Sequence, residues 1–225
     1  MTSGELTLHV PDPAERENLA AFLTHALRLD PAAVVRLRRR GDRYVSAWAG
    51  TGFEALAVRT VVATLGMDDV TVAGDVVRSG LHGPDSAAPF ALGYAMDSAW
   101  RTALPPESGF VHVDDVPARM LVELAERGAE LAQEHGSGHG PPASLLDQTV
   151  LTVSGAGQEV GVPMRVVFAL TAMDFIPHGG EKVDSRRISV DEIVRVRAAP
   201  TWLRLDARYG SVARRRGSGL SLFTN

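Results

Sequence analysis

Apolar residues recur at helical spacing from Leu19 to Leu27. Leu19, Phe22, Leu23, Ala26 and Leu27 fall on one face. Before them, Asp12-Pro13-Ala14-Glu15 offers a cap, a first-turn proline and a capping-box variant, and Asp30-Pro31 stops the run. The pattern then changes to alternation across residues 33–49, which predicts a hairpin about Gly41-Asp42. A two-residue loop there sets Arg40 opposite Arg43, Arg38 opposite Val45 and Val35 opposite Trp48. One face then carries Val35, Leu37, Tyr44 and Trp48, and the other Arg36, Arg38, Arg40 and Arg43. Strands over residues 55–65 and 70–77 complete an antiparallel meander behind the first helix.

Residues 79–89 read as a Gly/Pro/Ser loop. Leu92, Met96, Trp100 and Leu104 are spaced for a helix that Pro105-Pro106 ends, and residues 109–113 suit a short strand. Asp115 is placed to cap a long helix to His135, with Leu121, Leu124, Gly128 and Leu131 inward. Glu123, Glu126, Arg127, Glu130 and Glu134 then face water. Residues 136–143 are linker-like and are expected to form a flexible loop. Residues 144–153 suit a helix capped by Ser144, while 149–153 also suit a β-branched strand. Residues 164–176 are apolar almost all round, which predicts a buried helix between Pro163 and Pro177. Strand 193–197 and a hairpin over 202–216, turning near Tyr209-Gly210, close the chain, with Trp202 and Leu205 as lids on that helix. No repeat of recognisable period is visible. The expected class is α+β: an N-terminal helix on an antiparallel meander, then a helical half closed by a C-terminal β-hairpin. The expected division is an α+β half over residues 1–106 and a helical half over 107–225.

The run GVPMRVVFALTAMDFI at 161–176, followed by WLRLDARYGSVARRR at 202–216, resembles an uncharacterised two-part actinobacterial protein family of unknown function. That resemblance covers mainly the C-terminal third. It implies an α+β half followed by a helical half ending in a strand pair, and it lends no chemistry.

Composition narrows the function classes. The 225 residues can bury a proper core, with 45% hydrophobic and 22% charged residues. Zero cysteines exclude disulfides, thiolate zinc sites and a Cys nucleophile. No signal-peptide pattern and no membrane-length apolar run is visible, so a cytoplasmic protein without membrane partners is expected. The formal net charge of -4 hides a segregation. Residues 31–64 carry six arginines against Asp42 and Glu54, and residues 65–150 carry four arginines against thirteen acids. From residue 151 onward, eleven Arg or Lys face seven acids. Basic zones flanking an acidic one can pair within one molecule.

Four patterns are candidates for chemistry. Gly155-Ala156-Gly157 through Gly161 has glycines that could approach a pyrophosphate, but no βαβ unit with a terminal acid surrounds it. His135 and His139 stand four apart but lie among glycines, a poor metal site. Asp68-Asp69 and Asp114-Asp115 suit turns and caps. The fourth is the arginine surface: Arg36, Arg38, Arg40 and Arg43 on the first hairpin, and Arg204, Arg208, Arg214, Arg215 and Arg216 on the last. A winged-helix-like layout would let the last hairpin contact phosphates, yet the apolar helix before it lacks a base-reading face. No catalytic motif, cofactor fingerprint or metal set is legible. The expected function is a non-catalytic intracellular interaction or scaffold protein, self-associating or bound to a protein partner. Nucleic-acid binding through phosphates and an enzyme without a visible motif stand as the alternatives.

Overall fold

The computed structural model of the chain describes residues 5–83, 87–135, 141–180 and 184–216. A short strand β1 (Thr7–His9) leads into helix α1 (Pro13–Leu29). Asp12 caps this helix as the sequence predicts, accepting from the Ala14 N–H at 2.7 Å and the Glu15 N–H at 3.2 Å. Next come β2 (Val34–Arg40), β3 (Tyr44–Gly50), β4 (Leu56–Val62), β5 (Thr64–Leu65) and β6 (Asp69–Ala73). Helix α2 (Gly74–Leu81) and β7 (Phe90–Ala91) complete the first half. The second half begins with β8 (Val111–Pro117), α3 (Ala118–His135) and the single turn α4 (Ala143–Leu146). A hairpin of β9 (Thr149–Gly155) and β10 (Gln158–Pro163) feeds α5 (Met164–Ala172). The meander β11 (Ile193–Ala199), β12 (Trp202–Asp206) and β13 (Ser211–Arg215) follows, giving the expected α+β class and C-terminal hairpin.

Eight strands form one antiparallel sheet in the order β6-β2-β3-β4-β13-β12-β11-β8. Two smaller sheets, β5-β1-β7 and β10-β9, stand beside it. The long sheet is nearly palindromic. The runs β1-α1-β2-β3-β4 and β10-α5-β11-β12-β13 each pass from a strand through a helix into a three-strand meander, and they meet through β4 and β13. A repeat of topology is therefore present where the sequence shows no period. A meander constrains only the alternation of apolar positions, so many unrelated sequences satisfy it.

The helices cover one face of the long sheet. There Val35, Leu37, Val45, Ala47, Ala57, Val61, Leu203, Leu205 and Val212 join Leu19, Leu23, Leu121, Val167 and Leu170 in one core. Helices α3 and α5 approach closely at Gly128, where a Cβ would meet the Met164 side chain at 2.7 Å. The opposite face carries a smaller cluster of Trp48, Leu56, Val58, Ala199, Trp202 and Ala213, packed by Trp100, Leu104 and Phe110. Leu205 thus lies on the helix side of the sheet, but Trp202 lies on the other side. Leu131 is 46% exposed rather than inward.

Several sequence expectations are corrected. The first hairpin pairs Arg40 with Tyr44, Arg38 with Ser46 and Arg36 with Trp48, one residue away from the two-residue register. The loop is Gly41-Asp42-Arg43, with Gly41 at φ 62°. A one-residue slip turns side chains to the other face, so Trp48 and Tyr44 share the arginine side and Arg43 leaves the ladder. Residues 74–81 are helix, not the end of a strand and the start of a loop. Residues 89–105 are largely irregular. Gly93 adopts φ 77°, and Trp100 and Leu104 pack down as an extended strap, which their four-residue spacing does not reveal. Asp115 sits within β8 rather than at a helix cap, because Pro117 favours extended backbone before it and the helix starts only at Ala118. The open choice at 149–153 resolves to strand. The Gly155–Gly161 run is a hairpin turn, with Ala156 at φ 49° and Gly157 at φ 75°, and not a phosphate cradle. His139 and the side chain of His135 lie outside the described residues.

Candidate interaction site on the strapped face of the long sheet

The alternation of β2 sends Val35 and Leu37 to the helices and Arg36, Arg38 and Arg40 to the opposite face. On β12 the same rule sends Leu203 and Leu205 inward and Trp202, Arg204 and Asp206 outward. Because β4 and β13 join the two meanders, both arginine rows lie on one continuous surface. The segment from Trp100 to Phe110, which links the halves, straps across this surface.

Acids of the same chain neutralise most of the face. Arg36 donates to Asp69 through Nε at 2.7 Å and Nη2 at 2.8 Å, a two-pronged geometry that raises its pKa further above the ordinary guanidinium range. The Arg36 guanidinium also lies 6.0 Å from the Trp100 ring centroid. Arg38 approaches Glu107 at 3.5 Å and Asp69 at 3.8 Å. Arg204 lies 4.5 Å above the Phe110 ring and 2.9 Å from Asp206, and Arg197 reaches the same carboxylate at 3.1 Å. Arg195 lies 3.9 Å from Asp115. The acidic middle of the chain therefore pairs with its basic flanks, as the charge segregation suggests. The acids that do so on this face are Asp69, Glu107 and Asp115, with Asp68 and Asp147 pairing elsewhere, and not the outward row of α3. Asp69 is an ion-pair partner rather than a cap. Glu126 accepts from the Ser185 N–H at 2.9 Å and the Ser185 O–H at 2.8 Å instead of facing only water.

Of the nine candidate arginines, the structure places Arg36, Arg38, Arg40, Arg204 and Arg215 on the strapped face, with Arg38, Arg40 and Arg204 lining one cleft, and puts the rest elsewhere. Arg43 is exposed in its loop. Arg208 sits in the last hairpin's loop and grips the buried Glu192 at 2.6 and 2.9 Å. Arg214 faces the helix side, 3.6 Å from Asp147 and 3.7 Å from Glu54. Arg215 is exposed opposite Trp202, and Arg216 donates to the Ala199 carbonyl at 3.5 Å. Arg165, which sequence reasoning treats only as a polar position on a core helix, is 5% exposed and crosses between the halves. It donates to Asp147 at 2.6 Å and reaches Glu54 at 3.1 Å. The strap residues and Asp69 were also missed; the only signal in the sequence was the excess of acids between two basic zones.

The helix surface has the opposite character. Helices α1, α2, α3 and α5 carry no lysine and seven acids against six arginines, one of them the buried Arg165. Among the described residues no cluster of His, Asp or Glu could hold a metal ion. No helix among them is long and apolar enough to cross a membrane.

The fold is similar to that of bacterial sliding clamps. The DNA polymerase sliding clamp of Caulobacter crescentus superposes with a TM-score of 0.57 at 12% identity, over 94% of this chain and 65% of that one. The clamp of Bacillus subtilis gives 0.55 at 10% identity over 94% and 64%. The DNA polymerase III subunit beta of Pseudomonas aeruginosa gives 0.52 at 14% identity over 91% and 64%. The chain thus spans under two thirds of the length of these proteins, and at such identities the likeness concerns the fold alone. No curated protein matches the sequence. Residues 3–102 match the model of one domain of unknown function, DUF8010, and residues 105–219 match a second, DUF8185. These adjoining matches agree with a two-part family, and with the second spanning more than half of its length the chain belongs to the DUF8185 family.

Proposed function

We propose that the protein is a non-catalytic, cytoplasmic interaction scaffold that self-associates. The observation that carries this reading is the eight-stranded sheet running unbroken through both halves, an architecture similar to that of polymerase subunits that are themselves parts of an assembly. The state of the sheet edges supports it. The β6 edge is closed, because Thr71 receives the Met96 N–H at its carbonyl and gives its own N–H to Asp97, both at 2.7 Å. The β8 edge is interrupted by a register shift opposite Val196/Arg197 and carries Asp114 and Asp115, two devices that discourage strand addition. Strand β10 pairs only with β9 among the described residues, and its outer row of backbone groups is where we place a strand from a second copy.

Phosphate-backbone binding has less support. Its affinity would come from counterion release by unpaired cations. Here most sheet arginines already have carboxylate partners, and acids outnumber bases on the helices. Light scattering across nanomolar to high micromolar protein tests the proposal, with an oligomer expected. A monomer throughout overturns self-association. Anisotropy of labelled duplex and single-stranded DNA and RNA at low salt should show no binding. Salt-sensitive association weakened by replacing Arg214, Arg215 and Arg216 with Ala would favour the nucleic-acid reading instead.

A further inference from the structure

We infer that the cleft beneath the strap binds a compact oxyanion, a phosphate or carboxylate group on a small body. The cleft measures about 160 Å³ and draws on three parts of the chain. Arg38, Arg40, Trp48 and Thr60 come from the first half, the strap from Leu104 to Glu107 lines one side, and Arg204 and Ser211 come from the second. Its volume suits a group the size of a phosphate or carboxylate.

Charge accounting points to an anion. Three arginines line the cleft against two carboxylates, Glu107 and Asp206. Asp206 is divided between Arg204 and Arg197, at 2.9 and 3.1 Å. Asp69, outside the cleft, is committed to Arg36 at 2.7 Å and reaches Arg38 only at 3.8 Å. Arg40 has no ion-pair partner among the described residues. The Nε of Arg204, which lines the cleft, is buried without an aligned hydrogen-bond acceptor, although Asp206 is 2.9 Å away. Arg40 is exposed at the mouth and Arg204 is largely buried below it, so an anion seated between them would meet one freely available guanidinium and one held in place.

Hydroxyl groups add directional donors. Ser46 and Thr60 pair across β3 and β4 at 2.8 Å. Whichever hydroxyl accepts in that pair keeps its own proton for a ligand, and Ser211 adds another hydroxyl to the lining. A ligand held by Arg40 on one side and by Ser211 or Arg204 on the other would bridge the β4–β13 seam. Its binding would therefore favour the folded chain by mass action.

The test uses the full chain with inorganic phosphate and acetate as probes, each against chloride at matched ionic strength. Calorimetric titration and thermal melting are the readouts. Saturable binding of either probe with a rise in melting temperature is expected, and the two arms decide between a phosphate and a carboxylate head group. Arg40→Gln should weaken that binding at least about tenfold, the loss of one charge-assisted contact. Arg43→Gln, three residues along and outside the cleft lining, should leave it unchanged. No saturable binding beyond chloride overturns the inference, as does equal binding by wild type and Arg40→Gln. Displacement of the Trp48 indole N–H resonance by the probe places the ion in this cleft, and an unmoved Trp48 resonance places it elsewhere. Oligomeric state does not enter these readouts, so this inference and the scaffold reading fail separately.

Discussion

The two arginine-bearing hairpins, β2–β3 and β12–β13, look alike in sequence and use their charges differently. In the first, three arginines alternate with Val35 and Leu37, so one row of charge lies on the strapped face. In the second, Arg204 takes that face, Arg214 points to the helix side, and Arg208 sits in the loop on Glu192. Loop length is one cause. Three residues separate Arg40 from Tyr44, while four separate Asp206 from Ser211. The second cause is what lies nearby: Asp69 beside β2 collects Arg36 and Arg38, whereas Arg214 meets Asp147 and Glu54, the acids that already hold Arg165. A run of arginines therefore fixes neither a face nor a role.

The comparison can be broken most forcefully at the inward positions the hairpins share. Leu37→Ala and Leu205→Ala each empty a fully buried site and should each cost about 2–5 kcal/mol. Chemical denaturation would read both, and a loss confined to one would show that the two meanders are not equivalent halves of one core.

Next in size is Arg208→Ala. The arginine is 61% exposed but its partner Glu192 is 8% exposed, so removal leaves a buried carboxylate without its cation. A lowered denaturation midpoint is expected, and Arg208→Ala with Glu192→Gln should recover part of the loss. A neutral Arg208→Ala would mean that water reaches Glu192 freely.

A double-mutant cycle on Arg36 and Asp69 should return a coupling of about 1 kcal/mol, since both side chains are roughly 30% exposed. A coupling near zero would leave the first hairpin's charge row without structural use. The smallest effects belong to Arg43→Ala and Arg215→Ala. Both residues are exposed, and each change should stay within about 0.5 kcal/mol. A larger effect at Arg43 would show that its loop makes a contact the register does not require.

Much of the fold was legible because its signals are local. The cap at Asp12, the apolar face of α1, the buried run that became α5 and the last hairpin all rest on nearest neighbours along the chain. The failures share a different origin. Leu92, Met96, Trp100 and Leu104 have helical spacing but share no face: Leu92 enters the main core, Met96 borders β6, and Trp100 and Leu104 serve the extended strap, because Trp48 and Trp202 offer a surface to cover. Trp48 lies on the face opposite to the one a two-residue loop predicts, because loops of two and three residues differ by a single slip.

For the candidate site, the sequence by itself determined the ingredients: alternating arginines on two hairpins, an excess of acids between them and a core large enough to hold both. Only the tertiary structure decided that β4 joins β13, and with that single pairing it set which arginines share a surface, which acids reach them and where a cleft remains. The physical reason is range. Alternation and capping depend on residues a few positions apart, whereas charge pairing depends on distances of a few ångströms between groups far apart in the chain.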